Sequence, residues 1–269
     1  MKIGRALVDG ETIVCAITES EVVEIDGTWS AEPTGRRFAR ADARLLAPIV
    51  PNRILIVLAG WLPLDGSVAH DGKPPAVTVK LGELRGPNDA VAVPEFVSSG
   101  EVYVEPELAV VVGAEVSCAD VDTARDAIAG FTIFNDLTAA EHLRDKPDFF
   151  KAKSIDGFSC LGPWITTDLT DADVATGITI RCTVNGAETI AADTSFLKVP
   201  PSALLSAISQ QLRLVPGDLV SLGCPPPRPP LARAGDEFEV EIDRIGTLSN
   251  RLIPGADRRT RTDARDELA

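Results

Sequence analysis

The sequence predicts a β-rich α+β fold. Three observations carry this. Short β-type runs recur along nearly the whole chain, Asp-Gly and Asn-Gly pairs separate several of them, and only three or four stretches have helical spacing. No internal repeat is present. The 269 residues are 45% hydrophobic, 25% charged and 5% aromatic, which suits one large domain with a small companion.

Residues 1–50 read as a small N-terminal β unit. Asp9-Gly10 stands between two β-type runs and signals a hairpin. A helical stretch is expected over residues 40–46, and Pro48 and Pro51 then punctuate the chain. The larger domain is expected over 51–252. It opens with RILIVLA, an apolar run that implies burial on both faces. Residues 60–75 form a loop long enough to be functional. Strands follow at AVTVK, AVAVP and VYVEPELAVVVG, then a helix over 121–128 capped by Asp120 or Asp122. GFTIFND is a strand, and LTAAEHLRD, residues 137–145, has helical character. Asn185-Gly186 marks a second hairpin, 201–212 an amphipathic helix, and DLVSLG and DEFEVEIDRIGTLSN are strands. Residues 253–269 are poor in apolar side chains and are expected to be a disordered tail.

The net charge is −14, so the surface repels phosphate backbones and anionic membranes; neither nucleic acid nor membrane is an expected partner. No apolar run approaches the roughly 18 residues of a membrane span, and MKIGRALVDGETIV lacks the apolar core of a secretion signal. Five scattered cysteines without a CxxC pair fit reduced thiols in a cytoplasmic protein. Only His70 and His142 are present, so a metal would be held mainly by carboxylates, which points to magnesium, manganese or calcium.

Glu105 and Glu107 lie two apart in a strand sequence, so their side chains share one face ahead of a core run. Two like charges there are costly unless a cation sits between them. The other reading is an exposed strand edge, which Pro106 permits. Asp136 closes the GFTIFND strand, either as a third ligand or as a helix N-cap.

VEPELAVVVG, GFTIFNDLTAAE, KAKSIDGFSCLGPWI, VNG, PGDLVSLGCP and AGDEFEVEIDRIGTLSN occur in this order, and the succession resembles the fumarylacetoacetate hydrolase family. The resemblance implies a mixed β-roll with a small N-terminal domain, a homodimer and a small-molecule substrate. It implies that Glu105, Glu107 and Asp136 hold magnesium or manganese, with Lys153 beside the metal. Thr194 would bind substrate, Thr138 and Glu141 would flank the metal site, and Cys224 would line the substrate turn. The implied activity is metal-dependent C–C hydrolysis of an enolisable 1,3-dicarbonyl or 2-oxo acid through a metal-stabilised enolate. Decarboxylation or isomerisation are the variants.

Departures from the family pattern bear on the reaction. Gly60-Trp61-Leu62-Pro63-Leu64-Asp65 stands where family members carry Asn-Tyr-x-x-His, so the usual histidine is missing there. His70 is a substitute base or an exposed loop histidine; His142 and Glu141 are further candidates. Ala140 and Leu143 replace the arginine and glutamine that grip a substrate carboxylate. These losses suggest altered specificity, with isomerisation and decarboxylation gaining on hydrolysis. A catalytically weak metal- or ligand-binding protein is the alternative. A thiol enzyme using Cys224 or Cys160 is a weaker third.

Overall fold

The computed structural model describes residues 1–27, 32–67, 73–144 and 147–255. Strands β1 (Lys2–Val8), β2 (Glu11–Ile17), β3 (Glu21–Ile25), β4 (Pro33–Ala39) and β5 (Arg44–Leu46) make up the N-terminal segment. Asp9 and Gly10 take positive φ and turn β1 into β2 as the hairpin signal requires. The expected helix over 40–46 is instead a three-residue 3-10 turn, Arg40–Asp42, followed by β5. Pairing with β1 outweighs the local helical tendency.

Next come β6 (Ile54–Leu58), β7 (Ala76–Lys80), β8 (Leu84–Arg85), β9 (Ala90–Val93), β10 (Val102–Tyr103) and β11 (Pro106–Val112). Helix α1 (Val121–Asp126) starts at Asp120, whose carboxylate accepts from Thr123 N at 2.8 Å. After it lie β12 (Ile128–Asp136), β13 (Thr138–Ala139), α2 (Phe149–Lys153), β14 (Ser159–Thr166), α3 (Asp171–Thr176), β15 (Thr179–Val184) and β16 (Ala187–Asp193). The chain then forms α4 (Pro201–Ser209), β17 (Leu219–Ser221), β18 (Leu231–Ala232), β19 (Glu237–Ile242) and β20 (Gly246–Pro254). In place of the helix expected over 137–145, Thr138 and Ala139 pair with Tyr103 and Val102 and a 3-10 turn, Ala140–Leu143, follows; residue 145 lies outside the described residues. The expected tail overlaps β20 at its start, and 256–269 lie outside the described residues.

Twelve strands share one sheet, whose main order is β4-β3-β2-β1-β14-β12-β11-β17-β6-β7. A five-stranded sheet, β16-β15-β19-β20-β9, packs over it, and β13-β10-β18 form a small third sheet. β11 lies between β12 and β17 and all seven of its residues are buried, which overturns the exposed-edge reading of this segment. Leu108, Val110 and Val112 face the main core shared with the five-stranded sheet; Ala109 and Val111 face a second cluster with Phe134 and Leu161. Among the described residues no helix is long and apolar enough to cross a membrane.

Candidate metal centre and pocket

The second face of β11 and β12 ends in acid. Glu107 follows the alternation that places Ala109 and Val111 on that face, and Asp136 follows Phe134. Glu105 is not inside a strand. It occupies the break between β10 and β11, where its carbonyl accepts from Asp136 N at 3.0 Å. Pro106 at the start of β11 opens that break, having no N–H to give the ladder. One oxygen from each of Glu105, Glu107 and Asp136 lies within 4.8 Å of the others.

Two lysines meet this triad. Lys153, at the end of α2, donates to Asp136 Oδ2 at 2.5 Å, Glu105 Oε2 at 2.9 Å and Thr138 Oγ1 at 2.8 Å. Lys80, at the end of β7, donates to Asp136 Oδ1, to Leu137 O at 3.0 Å and to Phe158 O at 2.7 Å. Three acceptors around each Nζ match the three donors of an ammonium. Burial alone would lower the Lys153 pKa, but Asp136, Glu105 and Glu107 outweigh it and raise it. For Lys80, burial dominates and, with the Lys153 charge, pulls its pKa down despite Asp136. Asp136 is held below the usual carboxylate range because its two ammoniums overcome its burial. Burial pushes Glu107 well above that range, with the Asp136 charge adding to it. Glu105 is raised for the same first reason.

The donor set fits a hard divalent cation. It is all oxygen, and Glu107 Oε2 is buried with no hydrogen-bond partner among the described residues. Opposite oxygens lie about 4 Å apart around magnesium and nearly 5 Å apart around calcium. The observed spread therefore needs little adjustment. Fully ionised, three carboxylates against two ammoniums carry one formal excess negative charge.

A pocket of about 560 Å³ opens beside Glu105. Trp61, Leu62, Tyr103, Leu143, Cys224 and the prolines of 225–229 wall it. Gly60 permits this wall: a Cβ there would meet Leu222 O at 2.4 Å. Trp61 then donates Nε1–H to Gly223 O at 2.7 Å, and Leu62 N donates to Phe196 O at 2.8 Å. Cys224 lines the pocket as a thiol, because burial and the charges of Glu105 and Glu107 push its pKa well up. Cys160 is likewise raised, to about 12, by burial. Neither has the thiolate character a nucleophile needs.

Glu141, His142, Thr194 and Thr138 are not among the residues that line this pocket. Glu141 accepts from Ser98 N at 3.1 Å, Ser98 Oγ at 3.0 Å and Ser99 N at 2.6 Å. Its slight burial works against ionisation, but these bonds win and hold its pKa below the usual range. His142 Nε2 is 3.8 Å from Glu141 and is buried without a hydrogen-bond partner among the described residues. Thr194 donates to Val174 O at 2.6 Å and accepts from Ile178 N at 2.8 Å, so its hydroxyl clamps α3 to β15. Thr138 is in contact with Lys153. His70 lies outside the described residues. Sequence reasoning passed over Lys80, Tyr103 and Arg228. AVTVK gives no sign that its lysine turns inward, whereas the arginine within PPPRPP was a visible anomaly.

Fold and site together define a class: β-rich proteins with buried acids grouped closely enough for one divalent cation, beside a pocket of small-molecule size. The fumarylacetoacetate (FAA) hydrolase C-terminal profile matches residues 65–253, and an Rv2993c-like N-terminal profile matches 1–48. The chain belongs to the fumarylacetoacetate hydrolase family. It is 35% identical over 226 residues to Protein Rv2993c of Mycobacterium tuberculosis, covering 82% of each chain. It is 30% identical over 227 residues to the mitochondrial oxaloacetate tautomerase fahd2 of Xenopus laevis, covering 80% of this chain and 70% of that one. The crystal structure of 5-carboxymethyl-2-hydroxymuconate delta-isomerase from Mycobacterium smegmatis is similar, with a TM-score of 0.85 and 28% identity over 96% of this chain and 100% of that one.

Proposed function

We propose that this protein is a magnesium- or manganese-dependent enzyme that isomerises an enolisable 2-oxo acid, interconverting its enol and keto forms. The observation that carries the reading is the buried cluster: three carboxylates that outnumber their two lysine partners, Lys80 and Lys153, with one oxygen left unpartnered among the described residues. A cation held by Glu105, Glu107 and Asp136 would supply a Lewis acid for the substrate oxygens, easing the negative charge that develops as a proton leaves carbon. With that ion the cluster would carry one net positive charge, which favours an anionic substrate.

The protein's own groups have separate tasks in this reading. Lys153 adds positive charge beside Glu105 in the pocket lining. Lys80 fixes Asp136 from its enclosed side. Trp61, Leu62 and Leu143 keep water from the reacting carbon. His142, adjacent to Leu143, is the proposed proton carrier, because its Nε2 is uncommitted. Isomerisation is favoured over C–C hydrolysis because it needs no activated water, and Glu141 is committed to the Ser98–Ser99 turn. The named activities of two relatives, a tautomerase and an isomerase, support the same choice.

The test is an ultraviolet assay of enol-to-ketone conversion with oxaloacetate and longer 2-hydroxydienoates, with acylpyruvate cleavage run in parallel. Conversion should stop with chelator, return with manganese, and lose metal stimulation in Glu107→Gln. Faster acylpyruvate cleavage would reinstate C–C hydrolysis as the reaction. No metal-dependent turnover across the set would refute the enzyme reading.

A further inference from the structure

Among the described residues that line the pocket, Arg228 is the cation. It is set within Pro225, Pro226, Pro227, Pro229 and Pro230. Each proline fixes its own φ, so the arginine is carried on a stiff segment. That segment is tied to the site, because Pro230 O accepts from Val104 N at 3.0 Å and Leu231 pairs with Tyr103. The Arg228 guanidinium stands over the Tyr103 ring, 5.0 Å from its centroid, and donates to the Tyr103 hydroxyl. It makes no ion pair with any acid among the described residues, although the chain carries 40 acidic side chains. A stacked guanidinium with most of its five donors uncommitted is prepared for a planar anion.

Its place relative to the metal centre follows from the chain. Tyr103 is two residues from Glu105, roughly 7 Å apart in extended backbone. Arg228, Tyr103 and Glu105 thus line one pocket, with Arg228 over the Tyr103 ring and Lys153 bonded to Glu105 behind the lining. Ala140 and Leu143 supply no polar grip on an anion, so Arg228 is the group in the pocket wall able to give one.

We propose that Arg228 is the specificity-determining residue of this pocket and binds a second, distal carboxylate of the 2-oxo acid. The proposal rests on the function argued above. It selects longer diacids, which reach both Arg228 and the metal centre, over monoacids of equal length.

The test compares 2-oxoadipate with 2-oxohexanoate, by calorimetric titration of the manganese-loaded protein. The wild-type protein should prefer the diacid by on the order of tenfold to a hundredfold. Arg228→Gln should bring the ratio close to one, and Arg228→Lys should leave an intermediate ratio, since it keeps charge without the fork. Manganese titration without oxo acid verifies that each variant is folded. An equal preference in the wild-type protein, or a ratio unchanged in Arg228→Gln, overturns the proposal while leaving the isomerase reading intact. Failure of both oxo acids to bind with manganese present removes that reading, and the proposal with it.

Discussion

Asp136 is gripped from two sides, and the two lysines that hold it should fail differently when removed. Lys153 adjoins the pocket through Glu105, which lines it, so its charge is available to a reacting anion. Lys153→Ala should lower turnover on the order of a hundredfold, as loss of one electrostatic donor usually does. Manganese affinity should change much less, while the thermal midpoint also falls because Asp136 and Glu105 each lose a partner, so turnover is read on the folded, manganese-loaded variant; near-normal turnover would remove Lys153 from the chemistry. Lys80 is wholly enclosed, and its replacement by methionine strands Asp136 Oδ1 and the carbonyls of Leu137 and Phe158. Lys80→Met should cost on the order of 3–5 kcal/mol of stability, read by urea unfolding, because it leaves a buried charge half paired. Sequence showed one lysine and hid the other for a physical reason. Lys153 lies among phenylalanines, where a solvated lysine is out of place. Lys80 ends AVTVK, where alternation assigns the valines to the core, yet Val79 is 49% exposed and Lys80 1%. The ammonium turns inward because Asp136 and two carbonyls await it, a partner set drawn from 56 to 78 residues away.

At the scale of elements, hairpins and long apolar strands were legible because their signals are local. Asp9-Gly10 and Asn185-Gly186 turn as their positive φ values demand. The acid pair was also legible, since alternation alone puts Glu105 and Glu107 on one side. The break between β10 and β11 was not, because it depends on Asp136 N reaching across to Glu105 O. The helix expected at 137–145 failed similarly: pairing of β13 with β10 claims its first residues. Helix α3 offers an element-scale test. The Thr170 hydroxyl accepts from Asp173 N, while the Asp173 carboxylate accepts from the Thr170 N–H and hydroxyl. With Arg244 at 2.7 Å, these bonds push Asp173 down to about 2. A depressed carboxylate contributes stability that is fully present above its ordinary value and lost as pH falls toward about 2. Thr170→Ala should move the Asp173 midpoint back up toward the ordinary carboxylate range, followed by carboxyl-carbon NMR titration. An unmoved midpoint would show that Arg244 alone sets it.

Across the whole molecule, the N-terminal strands and the site-bearing strands are one sheet. Sequence suggested a boundary near residue 50, since Pro48 and Pro51 punctuate the chain there. Hydrogen bonding runs across that boundary. β1 pairs with β14 through Lys2 and Thr166 and through Ile3 and Ile165, while β14 pairs onward with β12, which carries Asp136. Ala47 and Ile49 pack into the cluster with Phe134 and Leu161, on the same face of β11 and β12 that carries Glu107 and Asp136. Removing residues 1–47 would therefore strip the Ile165–Thr166 end of β14 of its partner, while β8 still pairs Ser159 and Cys160, and expose a strand edge there, a site for aggregation. It would also take Ala47 from the cluster that braces β12. The expected outcome is one cooperative unfolding transition for the full chain, and for the truncated chain a lowered midpoint, a tendency to associate and weaker manganese binding. Calorimetry, light scattering and metal titration on the two proteins read these effects separately. Two resolved transitions in the full chain, or a truncated protein with unchanged midpoint and manganese affinity, would show that the shared sheet does not couple the N-terminal strands to the metal centre.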